Sequence, residues 1–175
     1  MNKSILITGV AGTGKSSVCD ELEKLGYKAF GIEDIEGMFT LSNKETGKKI
    51  ETYDGYNVEQ VKKHDWKCDI DKLKELMSKQ KGIVFYAGVA SNMDDILSLF
   101  DMLFLLKASP ETLTKRLNKR KSNKFGGIKE VQEWLFSWKD WWEESMVSNG
   151  AIVIDANQDL KKVVEDIINK VKISE

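Results

Sequence analysis

Eight residues near the start of this chain constrain it more than any other feature. Gly9-Val10-Ala11-Gly12-Thr13-Gly14-Lys15-Ser16 satisfies G-x-x-x-x-G-K-S in full. The run follows an apolar, strand-like segment, Ser4–Thr8, and opens a stripe of helical period formed by Val18, Cys19, Leu22 and Leu25. Glycines in such a turn let consecutive N–H groups point inward at an anion, and the following helix presents its positive end to the same place. Lys15 is then spaced to reach the β- and γ-phosphates of a nucleotide, Ser16 to ligate Mg²⁺ and Ser17 to donate to the α-phosphate. Gly9, Ala11, Gly12, Thr13, Gly14, Lys15, Ser16 and Ser17 are the expected cradle, with Ser16 the expected metal ligand.

The rest of the chain supplies the scaffold that such a turn needs. Tyr27–Ile32, Ile83–Ala87, Met102–Leu106 and Ala151–Ile154 join Ser4–Thr8 as short apolar runs without clean alternation, as strands covered on both faces should be. Helical stripes separate them: Ile70, Leu73 and Met77, then Leu160, Val163, Val164, Ile167, Ile168 and Val171. Ser109-Pro110 reads as an N-cap followed by proline at the first helical position. The alternation predicts an α/β fold of three layers, a parallel sheet between helices. With 175 residues, one proline and thirteen glycines there is no linker at which to divide it, so one domain over 1–175 is expected.

Composition excludes several classes. A net charge of −1 offers no global field for nucleic acid or an anionic membrane. No apolar run is long enough to span a bilayer, and Ile5–Ile7 is too short for a signal peptide. Cys19 and Cys68 lie far apart without a Cys/His cluster, which points to the cytoplasm. Trp134, Trp138, Trp141 and Trp142 fall near Val131 and Leu135 and are expected to be core, not a base-stacking platform.

Beyond the glycine-rich turn, the chain carries Asp34 after the second strand, His64-Asp65-Trp66, Gly88-Val89-Ala90-Ser91-Asn92 after the third, and Leu113 to Gly126. In these features it resembles P-loop kinases of the nucleoside-monophosphate-kinase and shikimate-kinase kind, nearest the broad-specificity nucleotide-kinase-like branch. The resemblance implies a P-loop NTPase fold with five parallel strands in the order 2-3-1-4-5. It also implies ATP as donor with Mg²⁺, a lid over about 116–128, and a small acceptor held by an insertion over about 33–68. The expected activity is phosphoryl transfer to a nucleoside or nucleotide. The competing expectation is an ATP-binding switch or ATPase acting on a protein partner.

Phosphoryl transfer also needs a carboxylate to order Mg²⁺ waters or take the acceptor proton. The third strand ends Tyr86-Ala87-Gly88, with alanine where relatives often carry aspartate. Asp34 at the end of the second strand is the best-placed acid, with Glu33 its stand-in; capping a short helix is its alternative role. His64 suits a general base or a structural site, and Trp66 a ring-stacking wall or a core position. Of the 27 basic residues only Arg116 and Arg120 are arginine, one helical turn apart. Projected on a helix starting at Pro110, both share the inward stripe of Leu113 and Leu117. From Lys115 to Lys129 there are seven basic residues and no acid, so bound phosphate, or adenine beneath the lid, is their expected partner, against an ion pair with a distant carboxylate. Ser122 to Gly127 is expected to hinge the lid. The acceptor is open between a monophosphate and a neutral hydroxyl compound, since Glu33 to Gly82 holds no arginine.

Overall fold

Five runs of buried aliphatic residues pair in parallel, and their carboxyl ends define one functional edge. The computed structural model describes residues 2–120 and 125–173. The main sheet contains β1 (Lys3–Thr8), β2 (Lys28–Gly31), β5 (Ile83–Ala87), β6 (Met102–Lys107) and β7 (Ile152–Asp155). Its order is β2-β5-β1-β6-β7, every pairing parallel. β1 is central because Ile5, Leu6 and Ile7 are apolar on both faces and wholly buried.

Two layers cover the sheet. One face packs Ile5, Ile7, Phe85, Phe104 and Leu106 against α1 (Lys15–Lys24), α5 (Pro110–Lys119) and α7 (Leu160–Ile173). The other packs Leu6, Val84, Tyr86 and Leu105 against α3 (Ile70–Ser78) and α4 (Met93–Ile96). The long α6 (Lys129–Ser148) straddles both, with Leu135 on the first side and Met146 on the second. The predicted cap is present: Ser109 Oγ accepts from Thr112 N at 3.2 Å, and Pro110 starts α5.

The insertion corrects the expected strand count. Its helix α2 (Val58–Lys63) is where the sequence puts one, but β3 (Phe39–Asn43) and β4 (His64–Cys68) flank it as a separate antiparallel pair. Counting them shifts the main-sheet order from 2-3-1-4-5 to 2-5-1-6-7. Both strands are polar and only partly buried, so no apolar run announces them.

The tryptophan helix is corrected in part: Trp138 and Trp142 pack against the core as expected, and Trp141 does not. Its buried positions are Val131, Gln132, Leu135, Lys139, Glu143 and Met146. Trp134, Trp138 and Trp142 form an edge-to-face ladder at its flank, while Trp141 is 71% exposed. Among the described residues no helix is long and apolar enough to cross a membrane.

Candidate functional site

The glycine-rich loop leaves β1 at Gly9 and enters α1 at Lys15. Gly9 is required by its neighbours: a Cβ there would lie 2.6 Å from Thr13 Oγ1 and 2.8 Å from the Leu106 carbonyl oxygen. Thr13 pins the loop on itself, its buried hydroxyl donating to Val10 O at 2.8 Å and its N–H to the same oxygen at 3.3 Å. No side chain caps the N-terminus of α1, and Ser16 and Ser17 are exposed in its first turn. Uncapped N–H groups and exposed hydroxyls at a positive helix end fit a bound polyphosphate. Among the described residues no three His, Cys, Asp or Glu side chains gather as metal ligands. Ser16, with phosphate oxygens and water, is then the group suited to Mg²⁺.

Lys15 folds over its own loop, donating to Gly9 O at 2.7 Å and, at 3.4 Å, to Val10 O. Burial holds its pKa below the usual lysine value; the Glu33 carboxylate opposes that shift and the Arg120 guanidinium reinforces it. Glu33 and Arg120 are thus the charged groups that act on the lysine.

Glu33 reaches the site on a single 3₁₀ turn, Ile32–Asp34, that follows β2. Gly88 at the end of β5 admits the turn: a Cβ there would lie 2.6 Å from Ile32 Cγ1 and 3.4 Å from Glu33 Cγ. The end of β5, which carries no acid of its own, is thus approached by Glu33 from the end of β2. Glu33 Oε2 accepts from Val89 N at 3.3 Å and Oε1 from the Trp66 indole N–H at 3.2 Å. Asp34, the favoured acid of the sequence reading, is exposed, with its Oδ2 2.9 Å from where a Cβ on Gly31 would lie. After burial itself and Glu23 and Asp20, its charge contributes to pushing the Cys19 thiol up to about 12. Adjacent residues on one tight turn point to different places, which spacing alone does not reveal.

Trp66 ties the insertion to this acid. Its ring stacks on Phe39 at 5.0 Å and 23°. Its backbone exchanges hydrogen bonds with Ser91, 2.9 Å into Ser91 Oγ and 2.7 Å from Ser91 N. Two residues on, Cys68 and the Asn92 side chain repeat the exchange at 2.9 and 3.1 Å. His64 stands apart, its ring 5.6 Å from Tyr53 and its Nδ1 buried without a hydrogen-bond partner. Burial, then Lys44, keeps its pKa below the usual histidine value.

The two arginines do not share one environment. Arg116 is half-buried, and its partners are carbonyl oxygens: Gly12 O at 3.5 Å, Thr13 O at 3.4 Å and Ala156 O at 2.8 Å. No carboxylate pairs with it among the described residues. α5 ends at Lys119 and Arg120 continues in an extended conformation, so the helical projection does not apply to it; Arg120 is exposed. Among the described residues it has no salt-bridge partner. Of the expected hinge, Ser122 to Lys124 lie outside the described residues.

Residues 5–135 match a family model described as an AAA domain. No curated protein matches the sequence. Among solved structures, a deoxyadenosine kinase from M. mycoides with bound dATP is 21% identical, with a TM-score of 0.64 over 97% of this chain and 99% of that one. A shikimate kinase from Acinetobacter baumannii in complex with shikimate is 16% identical, with a TM-score of 0.63 over 100% and 96%. Another, from Bacteroides thetaiotaomicron, gives 14% and 0.54 over 98% and 99%. At these identities the likeness establishes a P-loop kinase fold.

Proposed function

We propose that this chain, which belongs to the AAA domain family, is an ATP- and Mg²⁺-dependent kinase that phosphorylates a hydroxyl group of a small, nucleoside-like molecule. The observation that carries this reading is the placement of Glu33, a carboxylate fixed by two N–H donors beside the cradle lysine and against the insertion.

A hydroxyl nucleophile must lose a proton as the O–Pγ bond forms and the bond from Pγ to the β-phosphate oxygen breaks. Glu33 is suited to take that proton while ADP leaves. A monophosphate acceptor is already ionised near neutral pH, so it needs no base and would be repelled by a fixed carboxylate. The insertion agrees with an uncharged acceptor, since two of its lysines already face acids, Lys62 with Glu59 at 3.5 Å and Lys67 with Asp65 at 3.5 Å. Lys15 and Arg120 supply positive charge on the donor side, and bound Mg²⁺ would add to it by neutralising charge on the leaving phosphates. The solved neighbours include a deoxyadenosine kinase and a shikimate kinase.

The test is ADP production from ATP with a panel of ribo- and deoxynucleosides, shikimate and nucleoside monophosphates. Stimulation by a hydroxyl acceptor supports the reading. Stimulation by monophosphates alone, or by none of the panel, overturns it.

A further inference from the structure

Arg116 directs its hydrogen bonds at backbone, as Lys15 does, but reaches the cradle from a different helix. Nη1 is shared between Gly12 O at 3.5 Å and Thr13 O at 3.4 Å, and Nη2 reaches Ala156 O at 2.8 Å. We propose that Arg116 is a positioning residue that sets the phosphate cradle from behind and yokes it to the turn between β7 and α7.

The argument follows from peptide geometry. In a planar trans peptide the C=O and N–H point in opposite directions, and there is no cis bond among the described residues. Holding Thr13 O on the α5 side therefore directs the Gly14 N–H to the opposite side. Space is open around Gly14, whose added Cβ would meet nothing within 4 Å. α5 backs the loop with apolar contact as well: a Cβ on Gly12 would lie 3.2 Å from Leu117 Cγ and 3.4 Å from Leu113 Cδ2. The helix thus presses on the rear of the loop with two leucines and holds its carbonyls with the arginine between them.

The other end of the fork is equally anchored. Ala156 N donates to Lys107 O at 2.7 Å, and Asn157 Oδ1 accepts from Ser109 N at 2.9 Å. Asp155 Oδ1 in turn accepts from Asn157 N at 2.9 Å and Nδ2 at 2.8 Å. The connections following β1, β6 and β7 are therefore one hydrogen-bonded unit with Arg116 at its centre. Lysine keeps the charge but has no planar fork with which to span three carbonyls.

That the cradle binds phosphate rests on the function proposed above; the brace itself is tested without it. Backbone amide exchange is measured on ligand-free wild type, Arg116→Lys and Arg116→Gln, alongside Tm. The brace predicts exchange faster by about tenfold or more at loop amides 11–14, with α1, α6 and the main sheet unchanged. Binding titrations with ATP and with inorganic triphosphate then predict losses of the same factor, about five- to thirtyfold for each. Unchanged loop exchange in Arg116→Lys overturns the proposal, as does a loss for ATP with triphosphate unaffected, which would put Arg116 on the base. Faster exchange spread evenly over the whole protein with a fallen Tm also overturns it, leaving a general structural role. If wild type binds neither ATP nor triphosphate, the kinase reading fails and the exchange result still decides the brace.

Discussion

Replacing Glu143 with leucine should be one of the most damaging single changes to the stability of this fold. Glu143 is completely buried on α6, and its Oε2 accepts from Lys139 Nζ at 2.9 Å and Lys107 Nζ at 3.2 Å. The two lysines differ in what they can do without it. Lys107 has 40% of its side chain exposed and can turn to water, whereas Lys139 has 7% and cannot. Breaking a buried pair by removing one partner costs about 3–5 kcal/mol, because the remaining charge stays desolvated. Lys139 keeps one contact, Asp140 Oδ1 at 3.3 Å, but that carboxylate is 85% exposed and offsets about 0.5 kcal/mol. Loss of Glu143 Oε1, which is buried without a partner, offsets roughly another 1 kcal/mol. The net is a destabilisation of about 1.5–3.5 kcal/mol, or a Tm lower by roughly 3–14 °C for a chain of this size. Urea titration and thermal circular dichroism measure it. The double variant Lys139→Met/Glu143→Leu should recover most of the loss, since it leaves no unpaired charge. A single variant within about 1 kcal/mol of wild type, or a double variant no better than the single, refutes the reasoning.

Glu33→Gln should lower turnover by about 10²–10⁴-fold with ATP affinity nearly unchanged, while Asp34→Asn should stay within about threefold of wild type; steady-state rates in the reverse order would return the catalytic role to Asp34. Lys15, with a pKa held below the ordinary 10.5, loses its proton in the folded protein before the unfolded chain does. Between those two values the unfolded state binds more protons, so this group's contribution to stability rises with pH while ATP affinity falls. Calorimetric titration across pH should show that fall moved to lower pH by Glu33→Gln and to higher pH by Arg120→Ala; no movement in either variant contradicts the electrostatic picture. Gly9→Ala should abolish ATP binding and cost about 1–3 kcal/mol in urea melts, since Leu106 O is backbone and cannot give way cheaply.

What could be read from the sequence was local. The cradle is eight consecutive residues, and Thr13 and Lys15 make their hydrogen bonds within that run. The main-sheet strands carry their burial in their composition. β3 and β4 do not, because Thr40 and Lys67 are exposed and the pairing joins segments on either side of α2. The helical projection misplaces Arg120 because α5 ends one residue before it, with no glycine or proline to mark that end. On α6 the inward row runs Val131, Leu135, Lys139, Glu143 in steps of four. Reading aromatic residues as core and charged ones as surface selects Trp141 and rejects Lys139 and Glu143, because Lys107, the outside partner that makes burial of Glu143 tolerable, belongs to another strand. Glu33 and Asp34 are chemically alike neighbours, and only the approach of Ile32 and Glu33 to Gly88 tells them apart.

The indole of Trp66 belongs to a small sheet that shares no strand with the main one, yet it holds an oxygen of Glu33. That arrangement sets a rule for exchange of parts. A homologous or engineered segment grafted between Ile35 and Cys68 could alter the shape offered to an acceptor without disturbing β1, the glycine loop or α1. It would have to carry an N–H donor at the Trp66 position, or else leave one carboxylate oxygen of Glu33 to rotate away. On the proposed function, selectivity and alignment of the acid are therefore inherited as one cassette, and a library that varies the hairpin while fixing Trp66 samples the first without forfeiting the second.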